Sequence, residues 1–139
     1  MGSSSWSGAR KGGAMFAGRL ILESLRVGAD ITTPGLRIDR ILRVAVDGAT
    51  SQQPDEWSII DFRGPDETAD RFAKQLSAGM EPTHHWYADF RIGEDHVVVF
   101  PGRIFRYRTG DPEGHEEVVA YGRTLGIPDA QLDWGEVDD

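Results

Sequence analysis

The sequence contains no cysteine, and that single absence removes disulfides, thiolate zinc sites and cysteine nucleophiles together. It is the usage expected of a cytoplasmic protein, where thiols rather than disulfides are the rule. Basic charge is also scarce: 15 Lys and Arg stand against 23 Asp and Glu, for a net charge of −8. A nucleic-acid partner requires a basic footprint on phosphates, so this balance argues against nucleic acid and equally against an anionic membrane surface. No apolar run approaches the roughly 20 residues of a membrane-spanning helix, and no signal-peptide pattern is present. Also missing are a Walker loop, a G-x-G-x-x-G fingerprint, a nucleophile elbow and an H-E-x-x-H helix. Accordingly no catalytic residue, metal ligand or cofactor is assigned from the sequence.

What the chain does have is concentrated between Trp86 and Tyr107: WYADFRI, GED, HVVVF, PG and RIFRY. Strand alternation puts Trp86, Ala88, Phe90 and Ile92 on one face and Tyr87, Asp89 and Arg91 on the other. A three-residue turn at Gly93-Glu94-Asp95 pairs Ile92 with His96 and adds His96, Val98 and Phe100 to the Trp86 face. A two-residue turn at Pro101-Gly102 pairs Val98 with Phe105 and His96 with Tyr107. Proline at the first position resists the primed turns such hairpins prefer, which predicts a looser second turn. In this register every aromatic of the stretch except Tyr87 shares one face.

The remaining segments are material for the same domain. Residues 1–14 are Gly/Ser-rich and aperiodic, and are expected to be an expression leader or a disordered arm. Without Arg10 and Lys11 the formal charge moves from −8 to −10. Phe16–Arg26, Leu36–Val46 and Trp57–Phe62 are predicted strands; Ile38, Leu42, Val44 and Val46 share a face, with Arg40 the misfit. Asp47–Glu56 is predicted to be a surface loop. Gly64-Pro65-Asp66-Glu67 starts a helix whose stripe is Ala69, Phe72, Ala73, Leu76 and Met80. A second helix is predicted from about Glu116 to Leu125, closed by Gly126-Ile127-Pro128 in a Schellman ending. Leu132 and Trp134 tuck in, and residues 136–139 form a loose acidic tail. The expectation is one α+β domain over residues 15–135. It would be a two-layer sandwich with a mainly antiparallel sheet, in the order β-β-β-α-β-β-β-α, and two helices on one face.

Trp86-Tyr87-Ala88-Asp89-Phe90, VVVFPGRIFRY and YGRTLGIPDAQLDW together resemble a family of small, uncharacterised bacterial proteins. The likeness runs from about Trp57 to Trp134. Its motifs are structural, and it implies neither an activity nor a cofactor.

Several groups carry potential chemistry. His84 and His85 are adjacent, so on a strand they would point apart, and a helix-to-strand loop explains them better than a metal. Arg103, Arg106 and Arg108 have acids enough nearby to pair with, which favours salt bridges over an anion clamp. The best candidate surface is the face opposite the predicted core. There Tyr87, Asp89 and Arg91, joined by Asp61 if its strand is adjacent, mix with Val97, Val99 and Ile104. A half-apolar face asks to be covered. The first functional expectation is therefore a small, acidic, non-enzymatic binding or regulatory module that contacts a protein partner or a second copy of itself. The alternative is a small-molecule-binding protein or enzyme with a polar site around Tyr87, Asp89 and Arg91, which requires a concave pocket there.

Overall fold

Six runs of alternating or continuous apolar residues become six strands, and two amphipathic runs become helices. In the computed structural model, which describes residues 14–132 and 134, these are β1 (Met15–Ile21), β2 (Arg37–Ala45), β3 (Glu56–Pro65), α1 (Ala69–Gly79), β4 (Ala88–Ile92), β5 (Asp95–Phe100), β6 (Arg103–Arg108) and α2 (Pro112–Thr124). The expectations for the leader and for the acidic tail fall outside the described residues. All six strands form one antiparallel sheet, β2-β3-β1-β4-β5-β6, so the predicted class, sheet type and element order hold. How the first three strands join the meander was not legible. The answer is that β1 inserts between β3 and β4, pairing with both.

The meander is built as expected except at its first turn. Ile92 pairs with Asp95 and Arg91 with His96, so the loop is two residues long, Gly93-Glu94, and not three. Gly93 has φ +56°, the left-handed value that the first position of a type II′ hairpin turn demands. The second turn is two residues long, not looser as its proline suggested, and pairs Val98 with Phe105 and His96 with Tyr107. Its proline is accommodated because Gly102 follows it with φ +74°, the arrangement of a type II turn.

One residue of slip at the first turn exchanges the faces of everything after it. Trp86 and Phe90 therefore belong with Val97 and Val99, in a core that also takes Phe16, Phe62, Phe72 and Leu76. Val98 and Phe100 belong to a second core with Val118, Val119, Leu132 and Trp134, joined by Tyr87, Phe105 and Tyr107. The two helices consequently lie on opposite faces of the sheet, α1 over the first core and α2 over the second, and not together on one face as expected. Strand β5 is buried on both sides, as the unbroken HVVVF run demands.

Each core is aromatic. On the α1 face Phe16 stacks on Phe72 at 5.2 Å and Phe72 meets Phe62 at 4.9 Å. Gly18 lies between Phe62 and Phe90 on the neighbouring strands, where an added methyl group would fall 2.7 Å from Phe90 Cβ. On the α2 face Tyr121 meets Phe100 and Phe105 edge-on or tilted, at 5.0 and 5.3 Å. Helix α2 starts earlier than predicted because the Asp111 side chain caps it, accepting from the Glu113 N–H with Pro112 in the first turn. Its end is the predicted Schellman motif: Gly126 at φ +83°, with Ile127 N–H donating to Gly122 O and Gly126 N–H to Arg123 O. In β2 the register shifts between Ile38 and Arg40, so Ile38 leaves the face of Arg40, Leu42 and Val44.

Two cores on opposite faces predict independent energetics. Phe62 and Phe100 are both fully buried and stand three strand spacings apart, roughly 14 Å. Phe62→Leu and Phe100→Leu are each expected to cost about 1–2 kcal/mol. In urea unfolding the double variant should lose the sum of the two, within about 0.5 kcal/mol. A shared core would make the losses visibly non-additive.

Candidate functional site

Helix α2 and the C-terminal turn cover β5 and β6, and among the described residues no helix lies over the same face of β2, β3 and β1. The side chains on that open face fall into rows fixed by the strand register. One row is apolar: Leu42, Ile59 and Ile21 are successive cross-strand partners. The next row alternates in charge: Arg40, Asp61, Arg19 and Asp89. A third row carries Arg37, Arg63, Ala17, Arg91 and His96. Apolar and charged bands thus run side by side across the sheet.

Three loops rise around the apolar band and the Arg19–Asp89 end of the charged one, bordering an open cavity of about 420 Å³. Its floor is Ile21, Ile59, Arg19 and Asp89, and Trp57, Trp86 and Tyr87 form aromatic walls. Trp57 and Trp86 meet edge to face with ring centroids 5.4 Å apart. The Tyr87 hydroxyl donates to Gln131 O, and its ring leans on Phe100.

A buried amide ties the loops together. Gln53 Nε2 donates to the carbonyls of His84 and His85 at 3.0 and 3.1 Å. Its Oε1 accepts from Thr50 N–H and from Gln131 Nε2, both at 3.1 Å. Gln131 Nε2 also donates to Gly48 O. Gln53 is thus the junction of loops 46–55, 83–87 and 128–131, and it is buried, whereas the sequence placed it on a surface loop. His85 sits at φ +67°, an uncommon conformation for a residue with a side chain, and its carbonyl is one of the two that Gln53 holds. The His85 ring lines the cavity, and its Nδ1 is buried without a hydrogen-bond partner.

The charged row is internally organised. Arg19 donates from Nε and Nη2 to the two carboxylate oxygens of Asp61, at 2.7 and 3.3 Å. That bond holds the Asp61 carboxyl below the ordinary carboxylate range and raises the Arg19 guanidinium. Asp89 turns instead to His96, with Oδ2 2.7 Å from Nε2. His96 is fully buried and stacks parallel to Tyr107, whose hydroxyl accepts from Trp134 Nε1 at 2.7 Å. His96 and Tyr107 help line a second depression of about 360 Å³, with His115 and Asp111 at its rim.

Of the residues singled out from the sequence, Tyr87 and Asp89 meet in the main cavity. Arg91 shares their face but lies one row away, beside His96. Val97, Val99 and Ile104 do not share it: the shorter first turn sends Val97 and Val99 into the α1 core, and Ile104, paired with Val99, lies on the same side. Asp61 is on the predicted face, joined to Asp89 through Arg19 rather than adjacent to it. His84 and His85 are in a loop as predicted, and His84 lies 3.5 Å from Glu81. Arg106 and Arg108 pair with Asp95 and Glu94 at 2.8 Å, and Arg103 lies over the Phe105 ring. Among the described residues no three His, Asp or Glu side chains converge as metal ligands. None of the described helices is long and apolar enough to cross a membrane. Sequence reasoning missed Arg19, Trp57, Trp86, Gln53 and Gln131 as site residues. Strand alternation puts Trp57, Ile59 and Asp61 on one face, and that face meets Arg19 and Asp89 only because β1 lies between β3 and β4.

Two outcomes follow from this geometry. Gln53→Leu leaves two carbonyls without their buried donor and is expected to cost about 1–3 kcal/mol in urea unfolding. Asp61 has a lower pKa folded than unfolded, so the unfolded chain takes up its proton first as pH falls. The stability contributed by the Arg19–Asp61 pair is present above the unfolded carboxylate value of about 3.9 and is lost as pH drops through the folded one. Asp61→Asn should therefore flatten the decline of stability measured from about pH 6 to about pH 2.

No protein-family model, curated protein or solved structure matches this chain.

Proposed function

We propose that this protein is a binding module for a small organic molecule, held on the open sheet face between Trp57, Trp86 and Tyr87. The observation that carries the reading is the cavity itself: about 420 Å³, aromatic-walled, apolar and polar on its floor, with its loops tied by Gln53. Ligand sites are commonly concavities of roughly 300–1,000 Å³ with mostly apolar walls and a few fixed polar groups. The reading through protein contacts drew on Val97, Val99 and Ile104 as part of this face, and α1 covers Val97 and Val99. Contact with a protein partner keeps one observation in its favour, at a different place. Edge strand β2 exposes Ile38 and Ile41, at 55% and 72% of their surface, beside an unpaired strand edge.

The ligand reading is tested by two-dimensional NMR of the full chain titrated with 2-naphthol, an apolar planar probe with one hydroxyl. Shifts are expected at Ile21, Ile59 and the Trp57 indole N–H, and Trp57→Ala should weaken binding about fivefold or more. Shifts scattered over the surface, or confined to β2, would remove the cavity as the site.

A further inference from the structure

The polar end of the cavity floor is narrower in its chemistry than the cavity as a whole. Arg19 and Asp89 are direct cross-strand partners on β1 and β4, so they stand side by side at the spacing of one sheet rung, about 5 Å. Neither is spent on the other. Arg19 uses Nε and Nη2 on Asp61, on the far side of its strand, which leaves the Nη1 donors. Asp89 uses Oδ2 on His96, which leaves Oδ1 as an acceptor. The floor therefore offers a donor and an acceptor as neighbours, next to the apolar surface of Ile21 and Ile59.

That adjacency discriminates among ligands. A carboxylate or phosphate drawn to Arg19 would lie against the Asp89 charge. An ammonium drawn to Asp89 would lie against the Arg19 charge. Like charges one rung apart repel about as strongly as the opposite pair attracts, so a fully ionic ligand gains little at this edge. A neutral group with an acceptor and a donor side by side satisfies both residues at once. An N–H···carboxylate bond and a guanidinium···carbonyl bond are each charge-assisted, which makes them stronger than ordinary hydrogen bonds.

Resting on the ligand-binding reading above, we propose that the cavity takes a planar heterocycle carrying a lactam edge, a ring C=O next to a ring N–H of the kind found in guanine and uracil. The carbonyl accepts from Arg19, the N–H donates to Asp89 Oδ1, and the flat body lies over Ile21 and Ile59 between the Trp57 and Tyr87 walls.

The test is calorimetry on the full chain with guanosine, 1-methylguanosine and 2-naphthol. Methylation at N1 removes the N–H while keeping the ring, and loss of one hydrogen bond to a charged group is expected to weaken binding about tenfold or more. Arg19→Gln, at a side chain 54% exposed, should weaken guanosine about fivefold or more and weaken 2-naphthol distinctly less. The pair uridine and 3-methyluridine repeats the comparison on a smaller ring and should show the same preference. Equal affinity for methylated and unmethylated nucleosides, or nucleosides that fail where 2-naphthol binds, overturns the lactam assignment and leaves the cavity reading standing. Failure of 2-naphthol together with the nucleosides overturns both.

Discussion

The two-residue turn at Gly93-Glu94 sets the architecture, because it fixes which way every side chain of β5 and β6 faces. With Ile92 opposite Asp95, the odd-numbered valines of β5 join Phe90 and the even-numbered Val98 joins Tyr87 and Asp89 on the other side. One strand then serves two cores, and the sheet needs a helix on each face. A three-residue turn would have gathered the large aromatics into one core and left the opposite face half apolar and bare. The left-handed φ of Gly93 is what permits the shorter loop.

Helix coverage of both faces is confined to one half of the sheet, and that limit leaves the candidate site open. Helix α2 packs over residues of β5 and β6. On the uncovered half the chain meets water with bands: ion pairs where the sheet is open, as in Arg19–Asp61 and Arg63–Asp39, and apolar residues where the loops close over it. Pairs this exposed contribute little to stability. Their effect is to order the charged row, so that Arg19 is held toward Asp61 and Asp89 toward His96 instead of toward each other.

Much of the fold was legible in the chain and the site was half legible, for identifiable reasons. Strand and helix identities came from local periodicity, and the Schellman ending at Gly126 from three residues in a row. Parity across a turn is not local. A one-residue difference in loop length costs nothing in composition yet reverses a face, and here it moved Val97, Val99 and Ile104 away from Tyr87, Asp89 and Arg91. The unbroken Val97–Phe100 run was the available signal, since a strand with one wet face alternates and a strand buried on both faces does not. The insertion of β1 between β3 and β4 had no comparable signal. Arg19, Trp57 and Gln53 become site residues through that pairing and through the loops it brings together.

In the proposed ligand site the walls and the floor of the cavity divide the work of recognition. Two of the wall aromatics have their polar tips satisfied within the protein: Trp57 Nε1 donates to Pro54 O and the Tyr87 hydroxyl to Gln131 O. Their rings are thereby held in place by the loops that Gln53 and Gln131 join, and a ligand meets them already positioned, at little ordering cost. Stacking on such rings is strong but tolerant, because any flat molecule presents a face. Selectivity has to come from groups with unused hydrogen-bonding capacity, and on the floor those are Arg19 and Asp89. An apolar molecule that fills the walls leaves both as they are, whereas one with mismatched polar atoms strips their water without replacing it. On the proposed reading, affinity is set mainly by the loops and choice of ligand by a single rung of the sheet.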